Sequence, residues 1–354
     1  MSVINVGVIG AGSISALHLG SYAAHGSVNL AAVCDMNEQR AKAKAAQFGA
    51  GSYYTNYNDL LSNADIDAVS ICTWNDTHAD IAIAALEAGK HVLLEKPLCK
   101  TVDEAHAIEK AAAKHKDRVF QVGFVRRHGT NAHVLKKFID NGDLGTIYYA
   151  KASYLRALGN PGGWFADKSR SGGGPLIDLG VHVIDLSWYL MGKPKIHSVS
   201  GNVYNRLGNR SHIANKSFYK AADYDPEKNT VEDMVNALIR FENGASIMVD
   251  ASYSLHAPGD TAELKVFGEK GGAEVDPRLH ITTEKHHTIL NMTPDIDHLS
   301  FDMESGFQNE INHFIACIKE ETENIAPVQD GVEIMKVLNG IYESGKTGKE
   351  ILID

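Results

Sequence analysis

Lys96 stands between Glu95 and Pro97 at the end of the apolar run HVLL. A lysine so placed can stabilise a developing alkoxide or exchange a proton. Proline holds the preceding residue extended, so Pro97 aims the ammonium, and a cis bond fits the motif. Taken alone, Lys96 fits equally a side chain that snorkels to solvent. A second set lies in LIDLGVHVIDLSWYLMG, where Asp178, His182 and Asp185 fall at i, i+4 and i+7 of a segment apolar on nearly every other face. That segment holds neither Lys nor Glu, so the stripe reads as the lining of a sheltered polar cleft. Histidine is the usual general acid–base residue near neutral pH, which gives His182 a proton to move. Three other readings stand beside this one: a buried, mutually hydrogen-bonded cluster, a metal site of His182 with the two carboxylates, for which no further ligand cluster is visible, and a solvated face.

Upstream, the strand-like NVGVIG runs into GAGSIS and then a helical pattern from Leu17 to Ala24. In that context Gly10 permits a tight turn, and Gly12 lets the backbone approach a pyrophosphate at a helix N-terminus, with Ser13 and Ile14 completing the loop. The third glycine of the pattern is Ser15, small enough for close helix-to-strand packing. Asp35 ends the second strand, NLAAVCD, about twenty residues after the loop, where a carboxylate accepts hydrogen bonds from ribose hydroxyls. It also repels the extra phosphate of NADP. Met36 and Asn37 supply no compensating cation and Arg40 is a helical turn further on, so NAD is the expected cofactor. Asp35 also suits a helix N-cap or turn.

These residues need a frame. Helical patterns over 38–48, 77–88 and 102–114 alternate with the apolar runs IDAVSICT, 90–94 and VFQVGF, which predicts a doubly wound parallel Rossmann sheet over residues 1–125. Ligands in such sheets sit beyond the carboxyl ends of the strands, where Glu95, Lys96 and Pro97 fall. Pro175 near the first turn and Gly192 just past the end frame the second helix. With 354 residues, 44% hydrophobic and 22% charged, the chain has material for two cores. A net charge of -10 argues against nucleic acid. No apolar stretch approaches the roughly 20 residues of a membrane helix, and the start lacks signal-peptide features, so a cytoplasmic address is expected. Cys34, Cys72, Cys99 and Cys317 form no CxxC pair and read as buried apolar residues; His280, His286 and His287 read as surface.

GAGSIS followed by His18, CTWNDTH at 72–78, GKHVLLEKPL at 89–98, GFVRR at 123–127 and GGGPLIDLGVHVIDL at 172–186 resemble the glucose-fructose oxidoreductase and inositol dehydrogenase family, Gfo/Idh/MocA, over essentially the whole chain. The resemblance implies Lys96, Asp178 and His182 as the catalytic set. It places Thr73, Trp74, Asn75, His78 and Glu95 beside the cofactor, with Trp74 where members more often have proline. Arg127 takes a substrate-side or structural position. The second domain, 126–354, is implied to be an α/β unit with a large, mostly antiparallel open sheet, matched by alternations such as MVNALIRF and AELKVFG. Helices cover one face of that sheet and a second subunit the other, giving a homodimer or homotetramer, and a helix at about 332–346 packs back near the first domain. The loop 155–174 offers Arg156, Asn160, Trp164, Asp167, Lys168 and Arg170 to a small polyol. Asn160 and Trp164 are the expected substrate contacts, although a tryptophan there also serves to anchor the loop. The implied reaction is NAD-dependent oxidation of a secondary alcohol of myo- or scyllo-inositol, with no metal. His182 is the base and Lys96 the alkoxide stabiliser, or the reverse. An aldose is the alternative substrate, and a non-catalytic NAD-binding regulator the alternative of another class.

Overall fold

Apolar runs without alternation suit strands buried on both faces, and the first unit is built from them. The computed structural model describes residues 3–225 and 227–353. Strands β1 (Ile4–Ile9), β2 (Val28–Cys34), β3 (Ser52–Tyr54), β4 (Ala68–Ile71), β5 (His91–Glu95) and β6 (Phe120–Gly123) form one sheet in the order β3-β2-β1-β4-β5-β6, with every pair parallel. Helices α1 (Ser15–Ala24), α2 (Glu38–Phe48), α3 (Tyr57–Leu61), α4 (His78–Glu87) and α5 (Val102–Lys114) connect them. Local chemistry sets their limits. Asn37 caps α2 by accepting from the Arg40 N–H, and Thr101 with Glu104 forms a capping box on α5. The strand order reverses between β1 and β4, so the loops after these two strands flank the crevice where a doubly wound sheet binds its ligand.

The first unit comprises Met1–Val125 and Met303–Met335, and the second Arg126–Asp302 and Lys336–Asp354. A single boundary at residue 125 therefore misses a returning segment. Helix α9 (Met303–Ile318) buries Ile311, Phe314 and Ile315 in the same core as Val6, Leu19 and Tyr22. An apolar helical face far along the chain thus packs beside α1 in the core of the first unit. The helix expected over about 332–346 is α10, Val328–Thr347, and the division falls within it.

In the second unit, α6 (Thr130–Asp140) precedes a nine-stranded sheet. Its strands are β7 (Ile147–Leu155), β8 (Ile196–Tyr204), β9 (Met234–Phe241), β10 (Ser246–Ser252), β11 (Thr261–Gly268), β12 (Gly271–Asp276), β13 (His280–Lys285), β14 (Thr288–Met292) and β15 (Ile351–Leu352). The order is β14-β13-β12-β11-β7-β10-β9-β8-β15; β7 and β10 are parallel and the other pairs antiparallel. β9 alternates buried and half-buried residues without a break, as a sheet covered on one face requires. A short helix α7 (Lys168–Ser171) packs on the turn Gly163–Ala166, and a π-turn at Leu176–Gly180 and helix α8 (Val181–Leu190) pack on β7 and β10. Sequence patterning expects one regular helix from Pro175; its first turn is instead wound as π. Among the described residues no helix is long and apolar enough to cross a membrane, and the four cysteines are buried as free thiols.

Candidate active site

In the first unit, β1 delivers Gly10 at φ 93°, where an added Cβ would lie 2.6 Å from the Cys72 carbonyl oxygen. An added Cβ at Gly12 would meet nothing within 4 Å, so the backbone there is open to a phosphate. Ser13 and Ile14 lead into α1, with Ile14 at its N-cap and no acid in the first turn. Ser15 is fully buried and its hydroxyl donates to the Gly12 carbonyl at 2.7 Å, which is how a serine fits where the motif's third glycine stands. One Asp35 oxygen accepts the Ala11 N–H at 2.9 Å and the other accepts the Asn37 N–H at 2.9 Å. Asp35 is thus both the turn residue and the anchor of the glycine loop. Arg40 lies 3.6 Å from its carboxylate, engaged by the charge it would otherwise offset.

After β4, the Thr77 hydroxyl donates to that of Thr73, and Trp74 is half-buried at the start of a short 3-10 turn, Asn75–Thr77. Asn75 is buried. His78, expected beside the cofactor, is fully buried, with Nδ1 2.9 Å from the Pro97 carbonyl and Nε2 3.2 Å from that of Thr73. Burial, the largest influence, holds its pKa below the ordinary value. A neutral ring there donates to one of the two carbonyls, bracing the β4 loop against the Lys96-Pro97 peptide, which is cis. Glu95, also expected at the cofactor, points inward: Oε1 is 2.8 Å from His18 Nε2, and Oε2 accepts the Lys96 N–H at 3.1 Å. His18 is held in turn by Ser70, which also meets the Tyr22 hydroxyl at 2.7 Å. The inward bonds of His78 and Glu95 share a cause, since a polar group inside the sheet layer must be paired there. Lys96 itself is half-buried at the end of β5.

In the second unit, Asp178 and His182 are the half-buried polar positions of a segment whose remaining residues from Leu176 to Trp188 are buried. The Tyr253 hydroxyl, at the end of β10, donates to Asp178 Oδ2 at 3.0 Å. Burial first, and then the Asp178 charge, raises the Tyr253 pKa well above its ordinary value, so the phenol stays a donor. Arg156 follows β7. Burial alone would lower its pKa, but Asp178, with Tyr154 and Tyr253, more than offsets this and raises it. Its guanidinium lies 5.8 Å from the Tyr154 ring centroid.

The stripe divides along its length. Asp185 is 1% exposed, and both its oxygens accept from Arg127 Nε, at 3.2 and 3.1 Å, with Nη2 at 2.5 Å from Oδ1. The Arg127 guanidinium also lies 4.8 Å from the Tyr189 ring centroid. Of the two roles expected for Arg127, this geometry is the structural one; a buried carboxylate next to it requires the charge. Asn160 is likewise turned inward, donating to Asn229 at 3.2 Å and accepting the Gly162 N–H at 2.9 Å. Its amide shapes the loop, because a buried backbone N–H needs an acceptor. Trp164 packs against Phe165 with centroids 3.9 Å apart and is half-buried. Among the described residues, the metal-type ligands that gather within 4.8 Å are His18, Glu95 and Glu310, and not the Asp178 set. Tyr253 escaped sequence reasoning: it is 75 residues from Asp178, and nothing local marks it.

Two family models match the chain: the oxidoreductase family GFO_IDH_MocA, NAD-binding Rossmann fold, over residues 4–124, and the GFO/IDH/MocA C-terminal domain over 133–274. D-glucoside 3-dehydrogenase of Escherichia coli (strain K12) is 31% identical over 99% of this chain and 97% of the relative. The scyllo-inositol 2-dehydrogenase (NAD(+)) of Bacillus subtilis (strain 168) is 29% identical over 92% of this chain and 89% of its own. Among solved structures, levoglucosan dehydrogenase in complex with NADH and levoglucosan superposes with a TM-score of 0.87 at 26% identity, covering 99% of this chain and all of that one.

Proposed function

The chain belongs to the Gfo/Idh/MocA family and is an NAD-dependent oxidoreductase of sugar or polyol hydroxyl groups, and from that premise we propose that it oxidises a ring secondary hydroxyl of a glucoside to the ketone. The full-length match to a D-glucoside 3-dehydrogenase favours the glucoside. Inositol is the second reading, supported by the scyllo-inositol relative, since a cyclitol offers the same run of neighbouring secondary hydroxyls on a six-membered ring.

The open backbone at Gly12, the acid-free first turn of α1 and the Asp35 carboxylate fit the pyrophosphate and ribose of NAD. Bound NAD supplies the acceptor for the hydride that leaves the reacting carbon. His182 takes the hydroxyl proton as the carbonyl forms, and Lys96 donates to the same oxygen, stabilising the charge that develops on it. Asp178, oriented by the Tyr253 hydroxyl, accepts from an adjoining substrate hydroxyl and fixes the ring. The observation that carries this reading is the pair Asp178 and His182, half-buried on an otherwise buried segment, with Asp178 held by the Tyr253 hydroxyl. The test is NADH formation with methyl glucosides, levoglucosan and inositol isomers offered in parallel. Turnover highest on glucosides supports the first reading, turnover confined to inositols replaces it with the second, and silence on every ring despite NADH binding overturns both.

A further inference from the structure

The run Ser171-Gly172-Gly173-Gly174-Pro175 enters the segment that carries Asp178 and His182, and its glycines need a reason. A Cβ at Gly173 would collide with the Tyr342 hydroxyl, and one at Gly174 would lie 2.7 Å from the Glu232 carbonyl oxygen. Both neighbours belong to one buried group. The Glu232 carboxylate accepts the Gly174 N–H at 3.0 Å from each oxygen, the Leu176 N–H at 3.3 Å, and the Tyr342 hydroxyl at 2.7 Å. Burial, and then Glu232 itself, raises the Tyr342 pKa well above its ordinary value, so the phenol remains the donor of that bond. The Lys168 ammonium lies 5.3 Å from the Tyr342 ring centroid, tying α7 to the same point.

The next residue closes the frame. The Asp233 carbonyl accepts the Tyr253 N–H at 2.9 Å, and the Tyr253 hydroxyl holds Asp178. The Asp233 carboxylate accepts the Leu207 N–H at 2.6 Å and the Gly208 N–H at 2.9 Å, fixing the dipeptide from its other side. Two consecutive residues thus anchor both the start of the helical segment and the donor that orients its aspartate.

We infer that Glu232 and Tyr342 are positioning residues, which set the axial start of the segment bearing Asp178 and His182 and so the placement of both against the reacting hydroxyl. This rests on the function proposed above. The Glu232→Gln change keeps the volume but replaces one acceptor oxygen by an NH2, which faces the Gly174 N–H on the Oε2 side and the Gly174, Leu176 and Tyr342 donors on the Oε1 side. Phe at 342 removes a single donor and leaves the carboxylate in place.

The test measures steady-state kinetics and amide hydrogen exchange on the whole chain for Glu232→Gln and Tyr342→Phe. Expected for Glu232→Gln is a fall in kcat of roughly 10- to 100-fold, as for a displaced catalytic pair, with the KM for NAD within about twofold. Exchange should quicken over residues 174–182 and stay unchanged over 4–95. Tyr342→Phe should move the same readouts the same way by less, and serves where the Gln variant fails to fold. A loss of kcat that only tracks the loss of folded protein, with exchange over 174–182 unaltered, overturns the inference, as does wild-type kcat in both folded variants. Exchange is read without substrate. A wild-type protein inactive on every ring therefore overturns the proposed function while the exchange data still decide the role of Glu232.

Discussion

Arg127→Met separates a structural arginine from a substrate-binding one. The guanidinium side chain is 0% exposed and that of Asp185 1%, so the substitution leaves a carboxylate buried without its counter-charge. Breaking such a pair from one side costs about 3–5 kcal/mol. The stacking on Tyr189 adds about 0.5–1 kcal/mol, partly kept by the methionine. At roughly 2–4 °C per kcal/mol for a unit of 150–250 residues, the melting temperature should drop by about 6–20 °C. Replacing both partners, Arg127→Met with Asp185→Leu, removes the stranded charge, and most of the loss should return. The assay is thermal unfolding followed by circular dichroism, with KM for the sugar measured at a temperature where each variant is folded. An Arg127→Met protein that melts within about 2 °C of wild type but loses affinity for the sugar would refute the structural role and put the guanidinium on the substrate.

Asp35→Ser should lower kcat/KM for NAD and raise it for NADP, because it removes the ribose acceptor and releases Arg40; one charge-assisted hydrogen bond of about 1.5–3 kcal/mol corresponds to roughly 10- to 150-fold in the ratio. Kinetics with both cofactors read this directly. Tyr253→Phe, which deletes the donor to Asp178, should cost about tenfold in kcat/KM for the sugar and leave the KM for NAD unchanged. Burial, with the Arg118 charge next, holds the His91 imidazole down at about 4, and its Nδ1 accepts the Val119 N–H at 2.9 Å. The unfolded chain, titrating near 6.5, takes a proton that the folded chain refuses, so this share of stability is present above pH about 6.5 and lost as the pH falls toward 4. Urea midpoints between those limits should fall less steeply in His91→Gln than in wild type.

The first sheet was legible because its strands are continuous apolar runs and its helices carry local punctuation, as in the Thr101 and Glu104 capping box. α9 could not be assigned from its own pattern, since an amphipathic face does not say which core it will cover. β12, β13 and β14 were harder still. β12 opens on two glycines, the Thr, His, Lys and Asn residues of β13 and β14 give weak alternation, and β14 is exposed along almost its whole length. In the candidate site, Gly10, Asp35 and Lys96 each directly follow a strand, a placement that their spacing makes legible. His78, Glu95 and Arg127 carry the right residue types but face inward, and burial is not written in spacing. Tyr253 and Glu232 reach Asp178 and its helix across 75 and 58 residues, a distance over which only the folded sheet brings groups together.

The most direct measurement follows the hydride. Ring-deuterated glucoside and ring-deuterated inositol are each incubated with NAD and the protein, and the reduced nicotinamide is isolated and examined for label. Deuterium should appear on the nicotinamide from one of the two rings, with transfer reduced at least about 100-fold in Lys96→Ala and His182→Ala. Unlabelled nicotinamide from both rings although NADH binds, or wild-type transfer by the Lys96→Ala protein, would contradict it.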